Sequence, residues 1–376
     1  MPSTAGSPQA AQMRHSYRLA NACVEVATDA RDTGRWLAEF LAPWFAIEPP
    51  GLGGFAVQFT ACADAHADLS LQKSSRPLRN VPIFGLDREV VSLPGWTEAD
   101  GALVVADDDW GCLYRLAPAS VQVIARPQDR QPRIGLMRLV RELAAARVLA
   151  NQAMIDLHAA AFVTRGRAVL LVGAKQAGKT TLLVHALSSG EASLLANDRT
   201  FVDVRRGQAL GMPTVVVVRE GTVQTFPALA RGLPPQAAYL HTGEMTASAA
   251  SPTQRLVLTP AQLAGQIGAS IVPQAPIGAI VFPQISASVR GWSLEPMAAA
   301  DAAVALRENL YGARSGPRTS TVIQDMLSSP SGSKDLPMDS LVANVPMLSC
   351  RLGPDAYAEN ASAWLRALPL DLEKTG

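Results

Sequence analysis

At 376 residues, 48% of them hydrophobic, the chain can bury a sizeable core and has room for two domains, or for one domain with a substantial N-terminal extension. Its 33 basic and 32 acidic residues leave a formal charge of +1, so no global field selects nucleic acid or a membrane surface as partner. No apolar run is long enough to span a bilayer and the polar start Met1–Pro8 is unlike a secretory signal, so a cytoplasmic protein is expected. Cys23, Cys62, Cys112 and Cys350 are too scattered for a C-x-x-C metal site and too few for a disulfide framework, which predicts buried free thiols.

Residues 1–16 read as a disordered leader. Tyr17–Val26 reads as a strand, and Asp32–Leu41 as an amphipathic helix carrying Trp36, Leu37 and Phe40. Alternation at Phe55, Val57 and Phe59 marks another strand, followed by strands at Val90–Leu93, Ala102–Ala106 and Val121–Ala125. Asp107-Asp108-Asp109 precedes Trp110-Gly111, and this turn chemistry predicts a hairpin rather than a metal site. Residues 17–130 therefore form a β-rich α+β N-terminal module. After the break at Pro127–Pro132, Leu136, Leu139, Val140, Leu143 and Val148 stripe a helix that opens the second domain, 131–376.

The run Ala168–Val172 is followed by Gly173-Ala174-Lys175-Gln176-Ala177-Gly178-Lys179-Thr180-Thr181 and then by the apolar stretch Leu182–Leu187. The pattern G-x-x-x-x-G-K-[ST] between a strand and a helix is the phosphate-binding P-loop in the context the motif requires. Its glycines let backbone N–H groups curl around a phosphate, and the helix N-terminus adds its positive end. Lys179 is expected to reach the β- and γ-phosphates and the Thr180 hydroxyl to ligate Mg²⁺. The alternative is an ordinary glycine-containing turn.

Leu194-Leu195-Ala196 then runs into Asn197-Asp198-Arg199, which puts a carboxylate at the end of the next strand, on the edge that carries the loop if the strands are parallel. Asp198 is expected to hold Mg²⁺ or to take a proton from an attacking hydroxyl; a turn Asp is the alternative. Thr214–Val218, Arg255–Leu258, Ala279–Phe282 and Val345–Leu352 read as further strands, with helices at Ala298–Leu310 and Tyr357–Leu368. Gln236–Thr253 reads as a loop and Gly312–Asp339 as a flexible loop or lid.

The block Leu157-His158-Ala159-Ala160-Ala161-Phe162-Val163, the strand, the P-loop and Ala196-Asn197-Asp198-Arg199 resembles the C-terminal kinase domain of HPr kinase/phosphorylase, most firmly over 156–226. The resemblance implies an α/β P-loop kinase core of the HPr kinase and phosphoenolpyruvate carboxykinase type. It implies phosphate contacts from Gly173 to Lys179, Mg²⁺ at Thr180, catalysis at Asp198, and His158 close to the reacting phosphate. Arg199 and Arg219 are candidates for neutralising phosphoryl charge, as a guanidinium is suited to that task; solvated or paired arginines are the alternative. Asn197 stands where the family carries the first Asp of an acidic pair. An amide takes no proton at neutral pH, which argues against the family's reverse, phosphorolytic reaction.

The leading expectation is an ATP- and Mg²⁺-dependent kinase acting on a hydroxyl, with a Ser or Thr of a peptide or small protein, such as a biosynthetic precursor peptide, as acceptor. A small-molecule alcohol is the other acceptor class, and a nucleotide-binding scaffold or pseudokinase the competing function. The resemblance also implies a homo-oligomer. No Asn-Lys-x-Asp guanine-reading motif is present, and Leu187-Ser188-Ser189-Gly190-Glu191 lies too close to Lys179 to act as a transporter-ATPase signature.

Overall fold

The structure, a computed structural model, describes residues 12–51, 53–86, 89–127, 132–150, 153–231, 255–311, 321–327, 338–358 and 360–370. It is a mixed α/β protein with two nine-stranded sheets in two compact units. The first unit holds the described residues of Met1–Phe84, Val90–Val148 and Ser320–Ser329; the second holds those of Gly85–Glu89, Leu149–Thr319 and Pro330–Gly376. Among the described residues, no helix is long and apolar enough to cross a membrane.

Apart from the few end residues of β5, β6 and α3 that fall to the second, the first unit is built from β1 (Met13–Leu19), β2 (Ala22–Thr28), α1 (Arg31–Leu41), β3 (Ala46–Glu48), β4 (Phe55–Ala61), α2 (Ala63–Ser75), β5 (Arg79–Leu86), β6 (Glu89–Thr97), β7 (Leu103–Asp107), β8 (Cys112–Ala117), β9 (Ser120–Ala125) and α3 (Pro132–Leu149). Its sheet order is β3-β1-β2-β4-β9-β8-β7-β6-β5, with β4 parallel to both β2 and β9. The expected strand at 17–26 is a hairpin instead, because Ala20 takes a left-handed conformation and pairs Leu19 with Ala22 across a two-residue turn. β1 also begins at Met13, inside the expected leader. The helix expected to open the second domain belongs here. α3 lies on β8 so closely that a Cβ at Gly135 would come within 2.6 Å of both Cys112 Sγ and the Tyr114 hydroxyl.

The Asp-rich segment forms the predicted hairpin between β7 and β8. Asp107 is buried, accepting from the Trp110 N–H at 3.4 Å and the Tyr114 hydroxyl at 3.3 Å. Among the described residues there is no cluster of three or more metal-ligating side chains.

The second unit comprises β10 (Met154–Leu157), β11 (Ala159–Thr164), β12 (Arg167–Val172), α4 (Lys179–Ser188), β13 (Ser193–Ala196), β14 (Arg199–Asp203), β15 (Gln208–Met212), β16 (Val216–Arg219), α5 (Glu220–Thr225), β17 (Arg255–Leu258), α6 (Pro260–Ile267), β18 (Gln274–Ile285), β19 (Trp292–Pro296), α7 (Ala299–Glu308) and β20 (Met347–Leu352). Short helices follow at Met338–Asn344 and Ser362–Ala367. The path is β10-β14-β15-β18-β12-β11-β13, with β20 also on β18 and β19 beyond it; β16 and β17 form a separate ribbon. β18 is parallel to both β12 and β20, while β11 runs antiparallel between β12 and β13. The sheet is therefore mixed. Two antiparallel steps leave β12 and β13 pointing the same way, so their C-terminal ends still share one edge.

The continuous apolar runs of β11, β12 and β13 are buried, as expected for strands covered on both faces. Leu170, Val172, Ala159, Leu195 and Ile280 share a core with Leu306 of α7 and Leu341 of Met338–Asn344. The expected loop at 236–253 and most of the expected lid, 312–320 and 328–337, lie outside the described residues. Within that lid stretch, Val322–Leu327 is helical, and the helix Met338–Asn344 begins inside it.

Burial pushes the Asp107 carboxyl up to about 6, against the opposing pull of Arg138. Its folded-state pKa lies above its unfolded value, so the folded chain gains from protonation. The gain is complete below about pH 4 and is lost as pH rises through about 6. Asp107→Asn is expected to match wild type near pH 4 and to exceed it by up to about 3 kcal/mol at pH 8. Urea denaturation of both proteins at the two pH values checks this.

Candidate functional site

The edge where β12 ends carries the P-loop sequence, and its geometry follows from where α4 begins. Helices are usually capped by Ser, Thr, Asp or Asn. Here the cap is Gly178 at φ +98°, with no side-chain hydrogen bond to the first turn, so the leading N–H groups of α4 face the loop uncapped. A bare helix start wrapped by a glycine-bounded turn leaves N–H groups in the arrangement that favours an anion. Gln176 also takes a left-handed φ of 71°, and Ala177 N–H closes the turn on the Ala174 carbonyl at 3.2 Å.

Lys179 is buried and folded back on this loop, its Nζ donating to the Gly173 carbonyl at 2.6 Å and the Ala174 carbonyl at 3.2 Å. Ala174, Lys175 and Gln176 are exposed, while Thr180 and Thr181 are half-buried in the first turn of α4. Two links reach the motif from the end of β16 and the first turn of α5. With its amide oxygen turned to the guanidinium, which can only donate, Gln176 accepts from Arg219 at 3.0 and 3.2 Å. The Thr181 and Thr222 hydroxyls are 2.8 Å apart.

Strand register brings the remaining residues to the same edge. Ala159 pairs with Val172, which puts His158 beside Gly173; Ala161 pairs with Ala196, which turns the Asn197-Asp198 corner toward His158. His158 Nε2 stands 3.7 Å from Asp198 Oδ1, the histidine buried and the aspartate side chain 41% exposed. The His158 N–H is anchored on the Asn309 carbonyl at 2.8 Å, next to a bridge between Leu157 and Leu310.

Asn197 and Arg199 point elsewhere. Asn197 is buried, its Nδ2 donating to the Val215 carbonyl at 3.4 Å, and its Oδ1 has no hydrogen-bond partner among the described residues. Arg199 is 2% exposed and grips Asp156 with Nε at 2.9 Å and its terminal nitrogen at 2.7 Å from Oδ2, under the ring of Tyr311 at 4.1 Å. Its guanidinium belongs to a buried, fork-shaped ion pair rather than to the loop.

The structure thus gathers Gly173–Thr181, His158 and Asp198 at one edge, brings Arg219 to the loop through Gln176, and turns Arg199 inward. Sequence reasoning misses Thr222 and the residues packed on Gly178, which are Ile285, Leu352 and Tyr357. Nothing in their local sequence marks them; only sheet topology brings them to the loop.

No protein-family model matches this chain, and no curated protein matches it. What the site does therefore rests on its own chemistry.

The Asp156–Arg199 pair carries a stability prediction. Removing one partner strands a buried charge, so Arg199→Met is expected to cost about 3–5 kcal/mol, and Asp156→Leu/Arg199→Met together far less. Denaturant midpoints of the two proteins against wild type test it.

Proposed function

We propose that this protein is a phosphotransferase that binds ATP at Gly173–Thr181 and passes the terminal phosphoryl group to a hydroxyl. The observation that carries this reading is the uncapped start of α4 behind a P-loop sequence, with a buried lysine turned into the loop and a histidine–aspartate pair on the same edge. Loop N–H groups hold phosphate oxygens, and the Lys179 ammonium exchanges its two carbonyls for the phosphate chain. The Thr180 hydroxyl and the Asp198 carboxylate are hard oxygen donors of the kind Mg²⁺ prefers. When bound there, the ion neutralises phosphate charge.

Asp198 is the acidic group of the Asn197-Asp198 corner and is open enough to meet an incoming hydroxyl, whose proton it accepts or orients. His158 faces that carboxylate and helps fix its direction. Arg219, already at the loop, supplies positive charge beside Gln176. A Ser or Thr side chain of a peptide or protein fits this chemistry, as does a small alcohol. The competing reading, a nucleotide-binding scaffold without transfer, draws on Asn197, whose buried amide leaves the corner one carboxylate short.

Two expectations separate these readings. Lys179→Ala should weaken Mg-ATP binding at least about tenfold by calorimetry, as 1.4 kcal/mol of lost phosphate contact already suffices. Asp198→Asn should keep the fold but lower phosphoryl transfer by about 10²–10⁴. Labelled ATP with Ser-containing peptides and small alcohols reads the transfer; wild-type binding with no transfer to any acceptor favours the scaffold.

A further inference from the structure

The loop has a second set of neighbours, on the side away from His158 and Asp198. A Cβ at Gly178 would lie 3.4 Å from Leu352 Cδ1, 3.6 Å from Ile285 Cγ1 and 3.6 Å from the Tyr357 hydroxyl oxygen. Ile285 ends β18, Leu352 ends β20, and Tyr357 lies in the turn beyond it. Because β18 is parallel to both β12 and β20, these residues reach the loop from the same strand-end edge.

Their chemistry differs from that of the catalytic side. β18 is continuously buried from Ile277 to Pro283, yet its last residue, Ile285, is 62% exposed. A single exposed isoleucine needs no explanation; one continuous with a leucine and a tyrosine against a phosphate loop has a role to fill. Tyr357 is held in place edge-on to His185 of α4 at 5.3 Å and to Phe226 at 6.1 Å. Its phenol oxygen is buried without a hydrogen-bond partner among the described residues, and burial keeps it protonated, so the ring rather than the hydroxyl faces the edge.

Topology gives the two sides opposite ends of one ligand. β11 and β13 lie on one side of β12 and lead to His158 and Asp198, whereas β18 and β20 lie on the other. A nucleotide laid along this edge with its terminal phosphate toward Asp198 must run its sugar and base toward β18 and β20.

We propose, building on the nucleotide reading above, that Ile285, Leu352 and Tyr357 form the subsite for the base and sugar of the bound nucleotide. The base lies on Ile285, backed by Leu352 and the Tyr357 ring. The occupant follows from continuity with the loop: whatever joins a phosphate chain on this side must cross these residues first.

Calorimetry with Mg-ATP and with Mg-tripolyphosphate, which has phosphates but no base, tests the assignment on wild type, Ile285→Ser, Tyr357→Phe and Lys179→Ala. Ile285→Ser, at an exposed position, is expected to weaken ATP about tenfold and leave tripolyphosphate unchanged. Tyr357→Phe, which keeps the ring and removes only a buried hydroxyl, should leave both ligands unchanged. Lys179→Ala should weaken both ligands. Unchanged ATP affinity in Ile285→Ser overturns the subsite, as would occupancy of this patch by an acceptor side chain instead. An equal loss for both ligands also overturns it, since that reports damage to the loop. If Lys179→Ala changes neither ligand, the nucleotide reading falls, and the subsite with it.

Discussion

Strand β11 cannot slip, and the site depends on that. All six of its residues are buried, and it is paired on both sides, to β12 and to β13. A one-residue shift would exchange its two faces and pull Phe162 away from Trp364, whose rings lie 5.8 Å apart. The same pairing sets His158 against Gly173 and turns Asp198 toward His158. The β13 pairing shifts register between Ala161 and Phe162, at the point where the chain leaves for the Asn197-Asp198 corner. Irregular pairing at such a place re-aims a side chain without disturbing the core.

Charge at this edge is handled residue by residue. Arg199 is neutralised internally by Asp156, Lys179 rests on two carbonyls, and Asp198 keeps enough exposure to stay solvated. Asn197 fits the same logic. Its position is buried and faces the Val215 carbonyl, where an amide N–H is a donor and a carboxylate would set negative charge against a carbonyl oxygen. An amide rather than a carboxylate at this position thus has a local physical cause.

Much of this was legible in the sequence because it is local. The loop is contiguous, its strand is an unbroken apolar run, and Asp107–Asp109 announces its own hairpin. The mixed sheet was not legible, since the direction of β11 depends on the tight turn at Arg165-Gly166, both with positive φ, rather than on any hydrophobic pattern. α2 escaped notice because Leu69 is its only buried residue. The assignment of α3 to the first unit depends on a missing side chain at Gly135. The closing helix is shorter than its pattern implies, beginning at Ser362 after an Asn360 side chain accepts the Ser362 N–H at 2.9 Å. That leaves Tyr357 in a turn, free to meet the loop. Long-range neighbours such as Thr222 and Ile285 carry no local signature, and Arg199 looked like a candidate for phosphate because its partner, Asp156, is 43 residues away.

The resting posture of Lys179 has a consequence for selectivity. Its ammonium already holds two carbonyl oxygens, so a ligand gains only the difference between its own oxygens and those two. A weakly charged or singly attached anion offers little over that internal arrangement. A polyanion that also engages the α4 N–H groups and the edge beyond them gains much more. On the nucleotide reading proposed above, the internal hydrogen bonds of the loop hold its shape and set a threshold that a small anion does not clear.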